Sequence, residues 1–399
     1  MGKVKQPVPA VCYLDLDPVK GDFNLPGQIS LVIVRQLILG PSFTRPATIP
    51  PHPACEHNET VRSHPIPANL TNYQDYYHEC VEDLYLAYRN LFARNPSLPL
   101  FINTPGFLYT SHFQLLEELL GRFKPQNVVH LGDIHAIDSA TADRLHTLQT
   151  LTKQHRGTLH EIAAQASTSS TLRTNAELRA MQMQSYFHLA SAASRSAWTS
   201  ASLSTYVPWE FSYCTSSTRN QDFVGFISYN EPTPAPFLLH ALNGSIIHIV
   251  QSSSAQIPTP YTNLPRTPKS QIPYFPSSDK LGYVEPLDPR TSRLVCVALV
   301  RGFVPEKGVV QILVPKSHED LLHDLVAERT VFVTGCSDTP EWAYMEDAYG
   351  SLTENEENNG EMPTWVEKQD VINGMGYLAM VRRVRKFQTG EKADESKGR

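Results

Sequence analysis

The chain has 399 residues, enough for two or three domains that each bury a core, and its 41% hydrophobic and 19% charged residues are those of a soluble globular protein. A net charge of −6 excludes a uniformly basic nucleic-acid binder but leaves room for a local basic groove. The start of the chain has no apolar signal core, and no run approaches the roughly 18 apolar residues of a membrane span, so no membrane role is expected. The 31 prolines predict long irregular connections, and the six cysteines, without any C-x-x-C spacing, read as reduced thiols of an intracellular protein.

Val11 to Asp17 is an apolar run that ends in Asp-x-Asp-Pro, the pattern of a buried parallel strand whose last carboxylates project past the sheet edge where α/β sheets bind ligands. Asp15 and Asp17 there suit a hydrated Mg²⁺ ion, which takes one or two protein carboxylates and completes its shell with water and phosphate. The competing reading is local: Asp before Pro also turns the chain after any strand. Ile29 to Val34 is a second β-rich run. Residues 41–72 read as an irregular surface excursion, whose His52, His57 and His64 are expected to be solvated rather than metal ligands.

From Tyr73 to Arg94 apolar residues recur at three- and four-residue spacing and predict a helix that Pro96 and Pro99 stop. Leu100 to Asn103 is a strand ending at Thr104-Pro105-Gly106; a helix around Phe113 to Phe123 and a strand Val128 to Leu131 follow. Strand, helix, strand, helix, strand predicts a parallel sheet with covering helices and places Asp15, Asp17 and Thr104 on one edge. Residues 133–170 are polar and weakly helical. Thr174-Asn-Ala-Glu177 is a capping box opening a helix that carries Arg179, which on its own reads as a solvated surface residue.

A Ser- and Ala-rich run over 190–204 predicts a domain boundary, giving domains 1–200 and 201–399. Beyond it five short runs (223–227, 245–250, 294–300, 309–314 and 330–334) predict a β-rich domain, with a barrel as one arrangement. A second irregular excursion covers 251–288, an acidic segment 353–361, and a polar tail 388–399. Arg382, Arg383, Arg385 and Lys386, alternating with Val381 and Val384, read as a protected edge strand in preference to an RNA contact.

An ordered set of motifs resembles one family. Tyr13-Leu-Asp-Leu-Asp-Pro, Pro26-Gly-Gln-Ile-Ser-Leu, Leu39-Gly-Pro, Ile102-Asn-Thr-Pro-Gly, Arg179 in a helix ending Ser185-Tyr-Phe-His, Pro208-Trp-Glu, Ala298-Leu-Val-Arg-Gly and Asp338-Thr-Pro-Glu-Trp-Ala-Tyr resemble the fungal polynucleotide 5'-hydroxyl kinases of nucleolar ribosomal RNA processing. These are relatives of the kinase subunit of mRNA cleavage and tRNA splicing. The resemblance runs from about residue 11 to 387. It implies a P-loop NTPase-like α/β domain, incomplete here, followed by a β-rich C-terminal domain.

It also implies transfer of the ATP γ-phosphate to the 5'-hydroxyl end of pre-rRNA, Mg²⁺ as the metal, an rRNA-processing endonuclease as partner, and a nucleolar location in the nucleus. By the same resemblance Asp17 matches the carboxylate that orders the metal or activates the attacking hydroxyl. Asp15, Gln28 and Thr104 line the nucleotide region, and Arg179 lies on the lid over the transferring phosphate. Such a set answers the chemistry, because phosphoryl transfer proceeds mainly by positioning and by neutralising charge on the equatorial oxygens. Three departures accompany the likeness: no G-x-x-x-x-G-K-[ST] run occurs, Val19-Lys20 replace the family's Gly-Gln, and Phe107 to His112 replace its Trp- and Gly-rich continuation.

Three readings follow: an enzyme, of which this chain is the portion after the phosphate loop; a catalytically inactive scaffold of the rRNA-processing complex; or a truncated gene product. Because Asp17, Thr104 and Arg179 would meet a nucleotide from one side only, these 399 residues are expected to bind Mg-ATP weakly or not at all, and without the strand and loop-helix of the phosphate loop their exposed apolar surface is expected to make them prone to aggregation or poorly folded.

Overall fold

The computed structural model describes residues 10–35, 40–44, 58–132, 139–164, 173–191, 197–215, 220–229, 232–253, 255–278 and 280–346. His52, His57, the acidic segment 353–361, the basic cluster Arg382 to Lys386 and the polar tail lie outside them. The chain divides into two compact units, Met1–Pro340 and Glu341–Arg399, and of the second only a helical stretch, residues 341–346, is described.

In the first unit β1 (Val11–Asp15) is central to a four-stranded sheet. It pairs antiparallel with β2 (Gln28–Val34), which pairs antiparallel with β3 (Asn58–Pro65). The polar strand β3 lies inside the stretch expected to be irregular. Its residues are short of apolar periodicity because it is an edge strand, and Pro65 ends it.

Helix α1 (Gln74–Arg94) covers this sheet through Tyr76, Tyr77, Cys80, Val81, Leu84 and Tyr88, a stripe at helical spacing, and stops at Asn95, whose backbone (φ −141°, ψ 88°) has left the helical region that the following Pro96 disfavours. His64 is buried between β3 and α1 rather than solvated, its Nε2 2.8 Å from Asp83 Oδ2. Burial pushes the imidazole pKa down, opposed by Asp83. The Arg62 guanidinium reaches the same oxygen at 2.5 Å without the alignment of a hydrogen bond. Among the described residues no group of three or more His, Cys, Asp or Glu side chains is placed to hold a metal ion.

Strand β4 (Leu100–Asn103) pairs parallel with β1, Asp15 opposite Asn103. Helices α2 (Gly106–Thr110) and α3 (Phe113–Phe123) follow. The expected continuation of the parallel sheet takes a different form. Strand β5 (Asn127–Gly132) pairs in parallel with β6 (Thr158–Ala163) in a separate two-stranded sheet, and helix α4 (Ser139–Gln154) connects them. Residues 133–170 read as weakly helical throughout because β6 is mostly exposed and carries no clean alternation. Val129, Leu131 and Ile162 are left exposed on this ribbon.

Helix α5 (Asn175–Phe187) opens with the expected capping box, Glu177 N donating to Thr174 Oγ1 at 3.2 Å. A short antiparallel pair, β7 (Leu189–Ser191) and β8 (Ala197–Trp198), lies in the Ser- and Ala-rich run. The second sheet is built from β9 (Trp209–Ser212), β10 (Gly225–Ser228), β11 (Ile246–Ser252), β12 (Ser292–Val304), β13 (Val309–Leu313) and β14 (Thr330–Thr334), with short helices α6 (Leu238–Leu242) and α7 (Asp320–His323).

Its order is β10-β14-β11-β12-β13-β9: open, with β9 and β10 as separate edges rather than a closed barrel. Closure is not needed because both faces are covered. One core cluster joins Val224, Ile227, Val250, Val331 and Val333 to Leu14, Leu16, Ile29 and Tyr77 of the first sheet and its helix; the other packs Phe211, Phe223, Phe226, Ile249 and Phe332 on the opposite face. Every residue of β14 is buried, and so it reads as the continuous apolar run Val-Phe-Val between threonines.

Candidate functional site

The carboxylates of the opening strand meet the ends of β2 and β4. Leu16 N donates to the Asn103 carbonyl at 2.9 Å, so the parallel pairing with β4 continues past Asp15, and Thr104 emerges beside Asp17 at the carboxyl ends of both strands. Tyr77 of α1 holds the same place from the helix side, its hydroxyl donating to the Leu16 carbonyl at 2.8 Å.

Asp15 is fully buried. Its Oδ1 accepts from Asn103 Nδ2 at 2.9 Å and its Oδ2 from Phe23 N at 3.1 Å. Burial raises its pKa to about 6; the Asn103 and Phe23 hydrogen bonds pull it down, the Asp22 charge raises it, and the Asp22 amide lowers it. Asp17 lies nearer the surface, and its Oδ1 accepts from Val19 N at 2.8 Å and Lys20 N at 2.9 Å. The turn anticipated for Asp before Pro is therefore present, but it engages one oxygen only; Oδ2 makes no hydrogen bond among the described residues. The side chains of Val19 and Lys20 point to solvent, outside the carboxylate pair.

The loop 18–27 is folded back on the strand by Asn24, whose Nδ2 donates to the carbonyls of Asp15 (3.1 Å) and Gln28 (3.2 Å) and whose Oδ1 accepts from Ser30 Oγ. Gly27 adopts φ 86°, its amide donates to the Pro18 carbonyl at 2.7 Å, and it sits against the Cys336 carbonyl so closely that a Cβ would overlap it. Gln28 is enclosed between β2 and β3. Its Oε1 accepts from Ser63 Oγ at 3.3 Å and its Nε2 has no hydrogen-bond partner among the described residues.

Thr104 is exposed and makes no hydrogen bond among the described residues, leaving its hydroxyl and amide available to a ligand. Just beyond it, the rings of Phe107 and His112 meet edge to face, 5.8 Å apart.

Arg179 is not in direct contact with the carboxylates. Its Nε donates to Asp338 Oδ2 at 2.6 Å, and one turn on, Gln182 Nε2 donates to the carbonyls of Asn24 and, at 3.4 Å, Gly21. The helix is thus tethered to the loop that follows the carboxylate strand. The structure brings Asp15, Asp17, Gln28 and Thr104 together at one sheet edge and attaches Arg179 to it through Gln182. Sequence reasoning missed Asn24, Gln182 and the hydrogen-bonding role of Asn103. Asn103 and Asp338 lie inside motifs, whereas Gln182 carries no signal beyond its three-residue spacing from Arg179.

A largely hydrated Mg²⁺ needs few protein ligands. Asp17 Oδ2 fits that demand; Asp15, with both oxygens occupied and fully enclosed, fits it poorly.

Residues 4–189 match the family described as the P-loop of the mRNA cleavage and polyadenylation factor CLP1. Over 378 residues the chain is 30% identical to polynucleotide 5'-hydroxyl-kinase GRC3 of Gibberella zeae, a match covering 89% of this chain and 48% of that protein. It is 26% identical over 389 residues to the protein of the same name in Emericella nidulans, covering 86% of this chain and 45% of that one.

The chain is a relative of these fungal kinases. It spans about half the length of the relatives it matches. Two solved Clp1p–Pcf11p complexes share the fold, with TM-scores of 0.53 and 0.52 at 12% and 13% identity, covering 81% of this chain and 67% and 66% of theirs. Among the described residues no helix is long and apolar enough to cross a membrane.

Proposed function

We propose that this chain carries the carboxylate and lid side of a polynucleotide 5'-hydroxyl kinase acting on RNA with a 5'-hydroxyl end, with ATP as donor and Mg²⁺ as metal. The observation that carries the reading is the joint placement of Asp17 and Thr104 at adjacent parallel strand ends, with the Arg179 helix tethered to the same loop, in a chain related to such kinases. In the reaction, the RNA 5'-hydroxyl oxygen bonds the γ-phosphorus and the bond from that phosphorus to the bridging oxygen breaks. ADP leaves with the electron pair, and the hydroxyl proton passes to a carboxylate. Asp17 holds the metal or takes that proton, Thr104 faces the phosphates, and Arg179 balances charge on the phosphoryl oxygens. Bound Mg²⁺ supplies charge neutralisation between the phosphates.

Ribosomal RNA processing in the nucleolus, pre-rRNA as substrate and an rRNA-processing endonuclease as partner belong to the same proposal, supported by the resemblance of the motif set. The division into a kinase domain over 1–200 and a β-rich domain over 201–399 belongs to it as well.

The test is transfer of labelled γ-phosphate from ATP to a 5'-hydroxyl oligoribonucleotide by the full-length protein. Asp17→Ala should abolish transfer and leave RNA binding largely intact; retained transfer removes Asp17 from the mechanism. A second reading, a catalytically inactive scaffold, is favoured by the enclosure of Asp15 and Gln28 and by the engagement of Asp17 in its own turn. Full-length protein that binds RNA without transferring phosphate would establish it.

A further inference from the structure

The turn that follows β14, residues 335–338, comes from the β-rich half of the compact unit, yet each of its residues touches the surroundings of the candidate site. The Gly335 carbonyl accepts from Ala68 N at 2.9 Å, the Cys336 carbonyl packs on Gly27, and Ser337 Oγ donates to the Pro26 carbonyl at 3.0 Å. Asp338 takes the Nε of Arg179. Gln182 closes the third side by holding the Gly21 and Asn24 carbonyls. Turn, loop and lid helix are therefore each fixed to the other two.

The manner of the Arg179 contact matters. Asp338 binds through Nε alone, and Arg179 makes no other hydrogen bond among the described residues. A guanidinium held by Nε keeps its plane fixed, while its two Nη groups remain a planar fork matched to phosphate oxygens. Without that partner, the side chain would have to give up its rotamer freedom at the moment of use, and a catalytic group loses efficiency when its position is not set beforehand. Asp338 itself is 63% exposed, too open for its ion pair to add much stability. Its geometry is better matched to aiming than to holding the fold.

We propose that Asp338 is the positioning residue for Arg179 in phosphoryl transfer, so that the β-rich half completes the kinase centre. This rests on the kinase reading above. The experiment is steady-state transfer by full-length protein carrying Asp338→Asn, Asp338→Glu, Arg179→Gln, or Arg179→Gln together with Asp338→Asn.

Asp338→Asn should lower kcat roughly tenfold while the KM values for ATP and RNA and the melting temperature stay close to wild type. Asp338→Glu should recover part of the loss, and the double variant should be no slower than Arg179→Gln alone. If Arg179→Gln slows transfer and Asp338→Asn does not, or if the two losses simply multiply, this proposal is overturned and the kinase reading stands. If Arg179→Gln has no effect, the proposal falls with the role given to Arg179 and the kinase reading stands; if the wild type transfers no phosphate, the kinase reading itself fails and the proposal goes with it.

Discussion

Asp15→Asn separates the cost of burying a carboxylate from the value of its hydrogen bonds. In the folded chain the carboxyl titrates near pH 6 instead of 3.8, so its charged form is disfavoured by folding. A group raised in this way favours the fold most when both states are protonated, below pH 3.8, and that contribution is lost as the pH rises through 3.8 to about 6. The full difference is about 3 kcal/mol, and between roughly pH 4 and 7.5 about 2–3 kcal/mol of it is lost.

Asparagine keeps the acceptor for Asn103 but turns one donor toward Phe23 N, at a pH-independent cost of about 1–3 kcal/mol. The informative quantity is thus the change with pH in the stability gap between the two proteins. Urea unfolding at pH 4 and 7.5 should show the gap moving in favour of Asp15→Asn by about 2–3 kcal/mol as the pH is raised. A gap constant to within about 1 kcal/mol would mean that burial does not raise Asp15, and the account of a carboxyl enclosed by Asn103 and the loop 18–27 would be wrong.

Three further outcomes follow from single contacts. Gly27→Ala should destabilise the chain by about 2 kcal/mol or more in the same urea assay, since it combines a left-handed backbone with a Cβ driven into the Cys336 carbonyl; a loss under about 0.5 kcal/mol would show that the turn 335–338 is not seated there. Tyr77→Phe removes the hydroxyl that holds the Leu16 carbonyl and should cost about 1–2 kcal/mol in thermal or urea melts, with an unchanged midpoint counting against the contact. Leu131→Lys, at a position 68% exposed on the β5–β6 ribbon, should raise solubility and change stability by no more than about 0.5 kcal/mol; a larger loss would mean that this face is covered.

Much of the first sheet was legible because its strongest elements obey local rules. The run Val11 to Asp15, the helical stripe from Tyr76 to Tyr88 and the capping box at Thr174 each answer to one period or one pair of residues. Strand β3 was not legible, because an edge strand such as Asn-Glu-Thr-Val-Arg-Ser-His-Pro draws its order from backbone pairing with β2 and from the buried Asp83–His64 contact. Strand β5 reads as a strand and β6 does not, because it lies in a polar, mostly exposed stretch, and nothing local says which strand is the neighbour of β5. Register and sheet membership are decided by distant residues.

The candidate site divides the same way. Asp17 and Thr104 could be placed on one edge from the order of strands, since parallel strands share their carboxyl ends. Their environments could not. Asp15 and Asp17 are two residues apart and chemically identical, yet one is enclosed with both oxygens bonded and raised to about pKa 6, and the other keeps a carboxylate oxygen unbonded. That difference is made by Asn103, 88 residues away, and by the loop 18–27, which is itself held by Gln182 and by the turn after β14. A motif can name the carboxylates, but which of them keeps an oxygen open to a ligand is decided by side chains such as Gln182 that belong to no motif.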